Sequence, residues 1–109
     1  MNYNLKKIKV SGEFLMNPNE QFIKSADIIW QEIHGEYVLL DPKRSKTHSL
    51  NDTAFALWNS FENAASVVEV SRKMAMDFEC DFETILSHSN DLTLQFFQKG
   101  LIFKKNESI

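Results

Sequence analysis

Cys80 is the only cysteine, which excludes an intrachain disulfide framework and fits a reducing compartment. The three glycines, Gly12, Gly35 and Gly100, stand far apart, so no Gly-rich phosphate loop is available. No apolar run approaches the roughly 20 residues that a membrane span needs. None of signal-peptide length follows Lys6, Lys7 and Lys9. The chain therefore reads as soluble and cytoplasmic, with no membrane partner. There is no dense basic block: 12 Lys and Arg face 15 Asp and Glu, for a net charge of −3. That balance argues against nucleic acid as the main partner.

Catalytic and metal signatures are equally sparse. His34, His48 and His88 fall in different predicted elements without metal-ligand spacing. Cys80 lies between Glu79 and Asp81, whose charges disfavour a reactive thiolate. Asp77, Glu79, Asp81 and Glu83 alternate as in a calcium loop but lack its central glycine. Acids near a helix start have a simpler explanation in the helix dipole. No catalytic residue, metal or cofactor is expected, and the chain does not read as an enzyme.

What is present is enough apolar material for one core: 43% hydrophobic residues, with nine Phe and two Trp, in 109 residues. In residues 1–24, Leu5, Ile8, Val10, Phe14 and Leu15 are scattered without a period, and Asn17-Pro18-Asn19 marks a turn. This segment reads as an arm or an added strand, ahead of a domain at 25–105. From Ile28 to His34 and from Tyr37 to Leu40 the runs are rich in β-branched, aromatic and apolar residues. His34-Gly35-Glu36 lies between these runs, predicting a hairpin. Asp41-Pro42-Lys43-Arg44-Ser45 is a second turn, and Lys46 to Leu50 reads as a third, polar strand. Sequential pairing gives a three-stranded antiparallel meander with this third strand at an edge.

The period then becomes helical. Asn51 caps a helix carrying Ala54, Leu57, Trp58 and Phe61. Ser66 and Glu69 form a capping box for a second, with Val67, Val70, Met74 and Phe78 on its apolar face. Asp81 caps a third, whose stripe of Phe82, Ile85, Ser89, Leu92 and Phe96 is expected to face the core. Gly100 ends that helix, and Leu101-Ile102-Phe103 leaves it as an extended apolar segment. The expected fold class is α+β, winged-helix-like: a three-stranded antiparallel meander followed by three helices.

The run Gly35-Glu36-Tyr37-Val38-Leu39-Leu40-Asp41-Pro42 is followed by Ser49-Leu50-Asn51-Asp52-Thr53-Ala54 and then Leu57-Trp58. With Ser66-Val67-Val68-Glu69-Val70 and Lys99-Gly100-Leu101-Ile102, this order resembles the PqqD-like family over about residues 22 to 103. Ser45 departs from the pattern where a glycine is common, and the N-terminal extension is longer than in the shortest members. The resemblance implies a recognition element for ribosomally made precursor peptides. Such a domain binds the leader segment and presents it to a maturation enzyme, a radical SAM protein or a leader peptidase.

An edge strand carries unpaired backbone groups to which a peptide can add as a further strand. Lys46, Thr47, His48 and Ser49 are the candidate edge. The resemblance places the leader between this strand and the third helix. On that helix Leu86, Thr93 and Phe97 lie on a shoulder of the expected core stripe, with Asn90 further round. Leu86, Asn90, Thr93 and Phe97 are therefore the expected floor. Lys43, Arg44, Lys46 and His48 are candidates to meet acidic leader residues. The alternative is a winged-helix nucleic-acid-binding regulator, although Arg72 and Lys73 are a thin basic complement for a recognition helix. A third reading fills the groove with the chain's own arm through Leu5, Ile8 and Val10. A homodimer remains open.

Overall fold

The computed structural model describes residues 19–105. Leu5, Ile8, Val10, Phe14 and Leu15, on which the arm reading rests, lie outside them. The elements in order are β1 (Gln21–Lys24), β2 (Ile29–Ile33), β3 (Glu36–Asp41), β4 (Lys46–Leu50), α1 (Asp52–Asn59), a 3-10 turn (Ser60–Glu62), β5 (Ala65–Ser66), α2 (Val67–Phe78), α3 (Phe82–Gln98) and β6 (Ile102–Lys104). They build two antiparallel sheets, in the orders β2-β3-β4 and β5-β1-β6. The fold is α+β, and the first sheet is a meander with β4 at one edge and β2 at the other.

The β2–β3 turn is short because both of its loop residues take positive φ, His34 at 51° and Gly35 at 84°. That combination matches the twist of the strands it joins, and glycine supplies the second position without strain. The β3–β4 turn is held from within. Asp41, nearly fully buried, accepts from the Arg44 backbone N–H at 3.2 Å and from the Arg44 guanidinium at 3.0 Å. Burial pushes this carboxyl up, but the hydrogen bonds and charge of Arg44, with help from the Lys43 backbone, bring it below its ordinary value.

Each helix begins on the cap that its sequence offers. The Asn51 side chain accepts from Ala54 N at 2.8 Å, and the Asp81 carboxylate from Thr84 N at 3.0 Å. Ser66 and Glu69 complete a reciprocal box at 3.1 and 2.9 Å. The two later helices end alike. Leu101 N–H reaches the Phe96 carbonyl and Gly100 N–H that of Phe97; Cys80 reaches Ala75 and Glu79 reaches Met76. This is the paired pattern of a left-handed helix stop. At α3 the left-handed position is Gly100, at φ 76°, whereas at α2 it is Glu79, at φ 53°.

One core serves both sheets. Phe22, Leu39, Leu57, Trp58, Phe61, Val67, Val70, Met74, Leu86, Phe96, Leu101 and Ile102 are all buried in it. The segment after Gly100 is extended as expected, whereas two other expectations, for Phe78 and for α3, are corrected. From Ile102 to Lys104 that segment pairs with β1 as β6. Phe78, assigned to the apolar face of α2, is 47% exposed, since α2 ends at this residue and the chain turns away. The buried line of α3 runs through Leu86, Ser89, Asn90, Thr93 and Phe96, not through Phe82, Ile85 and Leu92, which are only partly buried. At 100° per residue the helix is rotated from the expected phase by about one position, because it packs on α2 as well as on α1.

A left-handed conformation is costly for a residue with a Cβ. Glu79→Gly should therefore stabilise the fold by about 0.5 to 1 kcal/mol, read as a higher midpoint in urea with an unchanged slope. A lower midpoint would show that the Glu79 side chain contributes more than its backbone strain removes.

Candidate peptide-binding groove

Register determines what the β4 edge offers. Ile33 and Glu36 flank a two-residue loop and therefore exchange both hydrogen bonds, after which bonded and non-bonded pairs alternate along an antiparallel ladder. Glu36, Val38 and Leu40 bond to β2, so Tyr37, Leu39 and Asp41 bond to their β4 partners Leu50, His48 and Lys46. That leaves the N–H and C=O groups of Thr47 and Ser49 directed away from β3, at an edge that no described strand covers. The side chains alternate in the opposite sense. Lys46, His48 and Leu50 share the sheet face of buried Leu39 and Asp41, and Thr47 and Ser49 share the outer face.

Beside that edge lies a groove of about 410 Å³. One wall is Thr47, His48, Ser49 and Leu50, with Asn51 and Ala54 where α1 begins. The other is Leu92, Gln95, Phe96 and Lys99 from the last turns of α3, with Leu101 beneath. Among the described residues no acidic side chain lines it. His48 is pulled below its ordinary pKa first by burial and then by the charges of Lys99 and Lys46, with Asp41 opposing. The groove thus joins an apolar floor, a cationic end and unpaired backbone groups. That chemistry suits an extended peptide carrying apolar side chains and carboxylates.

The sequence-predicted residues divide. Thr47, His48 and Ser49 stand on the groove wall, and Lys46 begins the same strand. Leu86, Asn90 and Thr93 are buried and are not among the side chains that line the groove. Phe97, partly buried, turns toward β1 and β6, with its ring 5.8 Å from that of Phe22 and 5.6 Å from the Lys104 ammonium. The helical positions that replace them are Leu92, Gln95, Phe96 and Lys99. The rotation of α3 accounts for the exchange, and the lost signal was the pair of small polar residues Ser89 and Thr93, which suits the close side of a helix–helix contact. Lys43 and Arg44 are engaged elsewhere, Lys43 with Asp27 at 2.7 Å and Arg44 with Asp41.

Other chemistry finds little support among the described residues. No three His, Cys, Asp or Glu side chains group to hold a metal ion. No helix is long and apolar enough to cross a membrane. On α2, Lys73 pairs with Asp77 at 2.9 Å and Arg72 lies over the Phe82 ring at 5.0 Å, both contacts at the surface.

Among the described residues, two sheets, three helices and an open strand edge beside the last helix define an α+β, winged-helix-like domain with a groove along that edge. Residues 36–102 match the family model of the coenzyme PQQ synthesis protein D (PqqD), and the chain belongs to the PqqD family. The fold is shared with TbiB1, solved in complex with the TbiA(β) leader peptide. The likeness has a TM-score of 0.63 at 19% identity, covering 73% of this chain and 93% of TbiB1. No curated protein matches the sequence.

Thr93 also gives a test of its reassignment, because its hydroxyl is buried without a hydrogen-bond partner. Removing an unsatisfied hydroxyl is neutral to favourable. Thr93→Val should therefore leave stability unchanged or raise it by up to about 1 kcal/mol by thermal denaturation. A clear loss of stability would mean that the hydroxyl has a partner.

Proposed function

We propose that this protein binds the leader segment of a ribosomally synthesised precursor peptide as a strand added to β4, and presents it to a maturation enzyme without catalysing a reaction itself. The observation that carries this reading is the combination of a free β4 edge with the groove that α3 forms beside it. Family membership supports it, and so does the shared fold with a protein solved with a leader peptide. The added strand pairs with Thr47 and Ser49, and every second side chain then faces the groove, over Leu92 and Phe96. Acidic residues of the leader meet Lys99, Lys46 and His48. The maturation enzyme is a radical SAM protein or a leader peptidase, and the complex forms in the cytoplasm. One copy of the chain suffices for each leader. The nucleic-acid alternative is disfavoured by the net charge of −3.

The test begins with the tagged protein purified from its native cells and its eluate read by intact-mass spectrometry for a short precursor. The leader of that precursor, made synthetically, is then titrated while amide hydrogen exchange is followed residue by residue. Exchange should slow at Thr47 and Ser49, whose N–H groups are free, and change little at Lys46 and His48, already bonded to β3. Leu92→Asp should lower affinity at least tenfold, about 1.4 kcal/mol, with the thermal transition retained. Protection absent from Thr47 and Ser49 at saturating peptide would rule out strand addition at β4.

His48 adds a pH signature. Its folded pKa lies below the ordinary value, so the stability it contributes is present above about 6.5 and is lost as pH falls through the folded pKa. A carboxylate brought by the leader raises that pKa again, and binding then takes up protons. Affinity for an acidic leader should rise as pH is lowered from about 7.5 to about 5.5. In His48→Asn that dependence should flatten, by calorimetric titration at several pH values; an unchanged slope would remove His48 from the interaction.

A further inference from the structure

Among the described residues β2 is the second free edge of the meander, and all five of its residues are exposed. Seven large apolar side chains are exposed among the described residues. Four of them lie on β2 or its neighbour β3: Ile29 at 56%, Trp30 at 44%, Ile33 at 43% and Leu40 at 39%. Natural edge strands are usually guarded by lysine, proline, a bulge or a covering element. The sequence of β2, Ile-Trp-Gln-Glu-Ile, has neither lysine nor proline, and each of its residues pairs singly with β3 without a bulge.

The ladder again decides which groups are free. Ile29, Gln31 and Ile33 bond inward to β3, so the backbone groups of Trp30 and Glu32 point outward. A second β2 laid antiparallel, with Gln31 opposite Gln31, sets Trp30 of each copy opposite Glu32 of the other. Those two residues exchange both hydrogen bonds, and they do so twice across the axis. Ile29 falls opposite Ile33 in the closer, non-bonded positions, again twice. Both isoleucines lie on the outer sheet face, where Val38 and Leu40 extend the apolar surface. No like charges stand opposite each other, and the arrangement is self-complementary under a two-fold axis, as an isologous interface requires.

We propose that two copies of this chain associate through β2 into one continuous antiparallel sheet, leaving a free β4 edge and its groove at each far end. The occupant of β2 is thus a second copy. This goes beyond leader binding and does not depend on it.

Sedimentation velocity of the full chain, from about 1 to about 300 µM, should show a reversible monomer–dimer equilibrium with a micromolar constant, as a small interface gives. Ile29→Lys with Ile33→Lys changes only exposed positions and sets lysine opposite lysine. The fold should persist by circular dichroism while dimer affinity falls at least tenfold. In a Cys80→Ser background, Gln31→Cys places two thiols across the axis within disulfide reach and should cross-link on mild oxidation, whereas Ser49→Cys on β4 should not. A chain monomeric at every concentration, a dimer indifferent to the double lysine change, or preferential cross-linking through Ser49 would overturn the proposal. So would a monomer whose lysine variant loses affinity for a maturation enzyme, which would assign the edge to that enzyme. Saturating leader peptide should leave the dimer intact, so leader binding and self-association succeed or fail separately.

Discussion

The corner at Gly100 and Leu101 is the point on which the rest of the molecule depends. The Leu101 carbonyl accepts from the Trp58 indole N–H at 3.0 Å and from the Ser25 backbone N–H at 3.0 Å. The neighbouring Gly100 carbonyl accepts from the Ser25 hydroxyl at 2.7 Å. The Arg44 guanidinium covers Gly100 so closely that a Cβ there would lie 2.5 Å from its carbon. Four parts of the chain meet at this place: the end of α3, α1 through Trp58, the end of β1 through Ser25, and the β3–β4 turn through Arg44 and Asp41. Because the turn that sets β4 and the helix end that carries Lys99 are tied to one corner, the distance between them is fixed before any ligand arrives. On the proposed reading, such a tie lowers the ordering cost of binding.

The two edges of the meander are chemically opposed. β4 is polar, with Lys46 at its start and Lys99 across the groove, and it stays soluble while its backbone groups are unpaired. β2 has one carboxylate, Glu32, among apolar residues, and its partly exposed indole is tilted over Phe55 at 4.7 Å. Tyr37 stacks on the same Phe55 at 4.0 Å, and its phenol is raised above its ordinary value first by the charge of Glu32 and then by burial and Asp52. The aromatic ledge anchors the hairpin to α1 and stiffens β2 in the extended form. A rigid, unguarded strand pairs at lower entropic cost than a loose one.

Sequence legibility followed the range of the physics involved. The hairpin turn, the capping box of Ser66 and Glu69, and the stop at Gly100 are local devices, and each was readable within a few residues. The second sheet was not, because β1, β5 and β6 are two to four residues long and pair across most of the chain. No period exists in strands so short. The strand side of the groove was readable because an edge follows from sequential pairing. The helical side was misplaced because α3 is buried on more than one flank, and an apolar stripe does not say which flank meets which neighbour. Thr93 and Ser89, small and polar, marked the tightly packed side, while Leu92 and Phe96, apolar, border the groove.

An edge of this kind also limits how selective the protein is. Thr47 and Ser49 offer two N–H and two C=O groups, and each net hydrogen bond contributes about 0.5 to 1.5 kcal/mol. Those bonds alone do not reach the roughly 8 kcal/mol of micromolar binding once an extended peptide has been ordered. An apolar side chain seated over Leu92 and Phe96 adds about 1.5 to 3 kcal/mol if fully buried, and two at alternate positions close the gap. Backbone pairing is blind to sequence, so on the proposed reading recognition should rest on two apolar residues of the leader, two positions apart, with a carboxylate near the Lys99 end to set the direction. Many sequences meet that condition. On the proposed reading, the protein would discriminate among peptides by spacing and polarity.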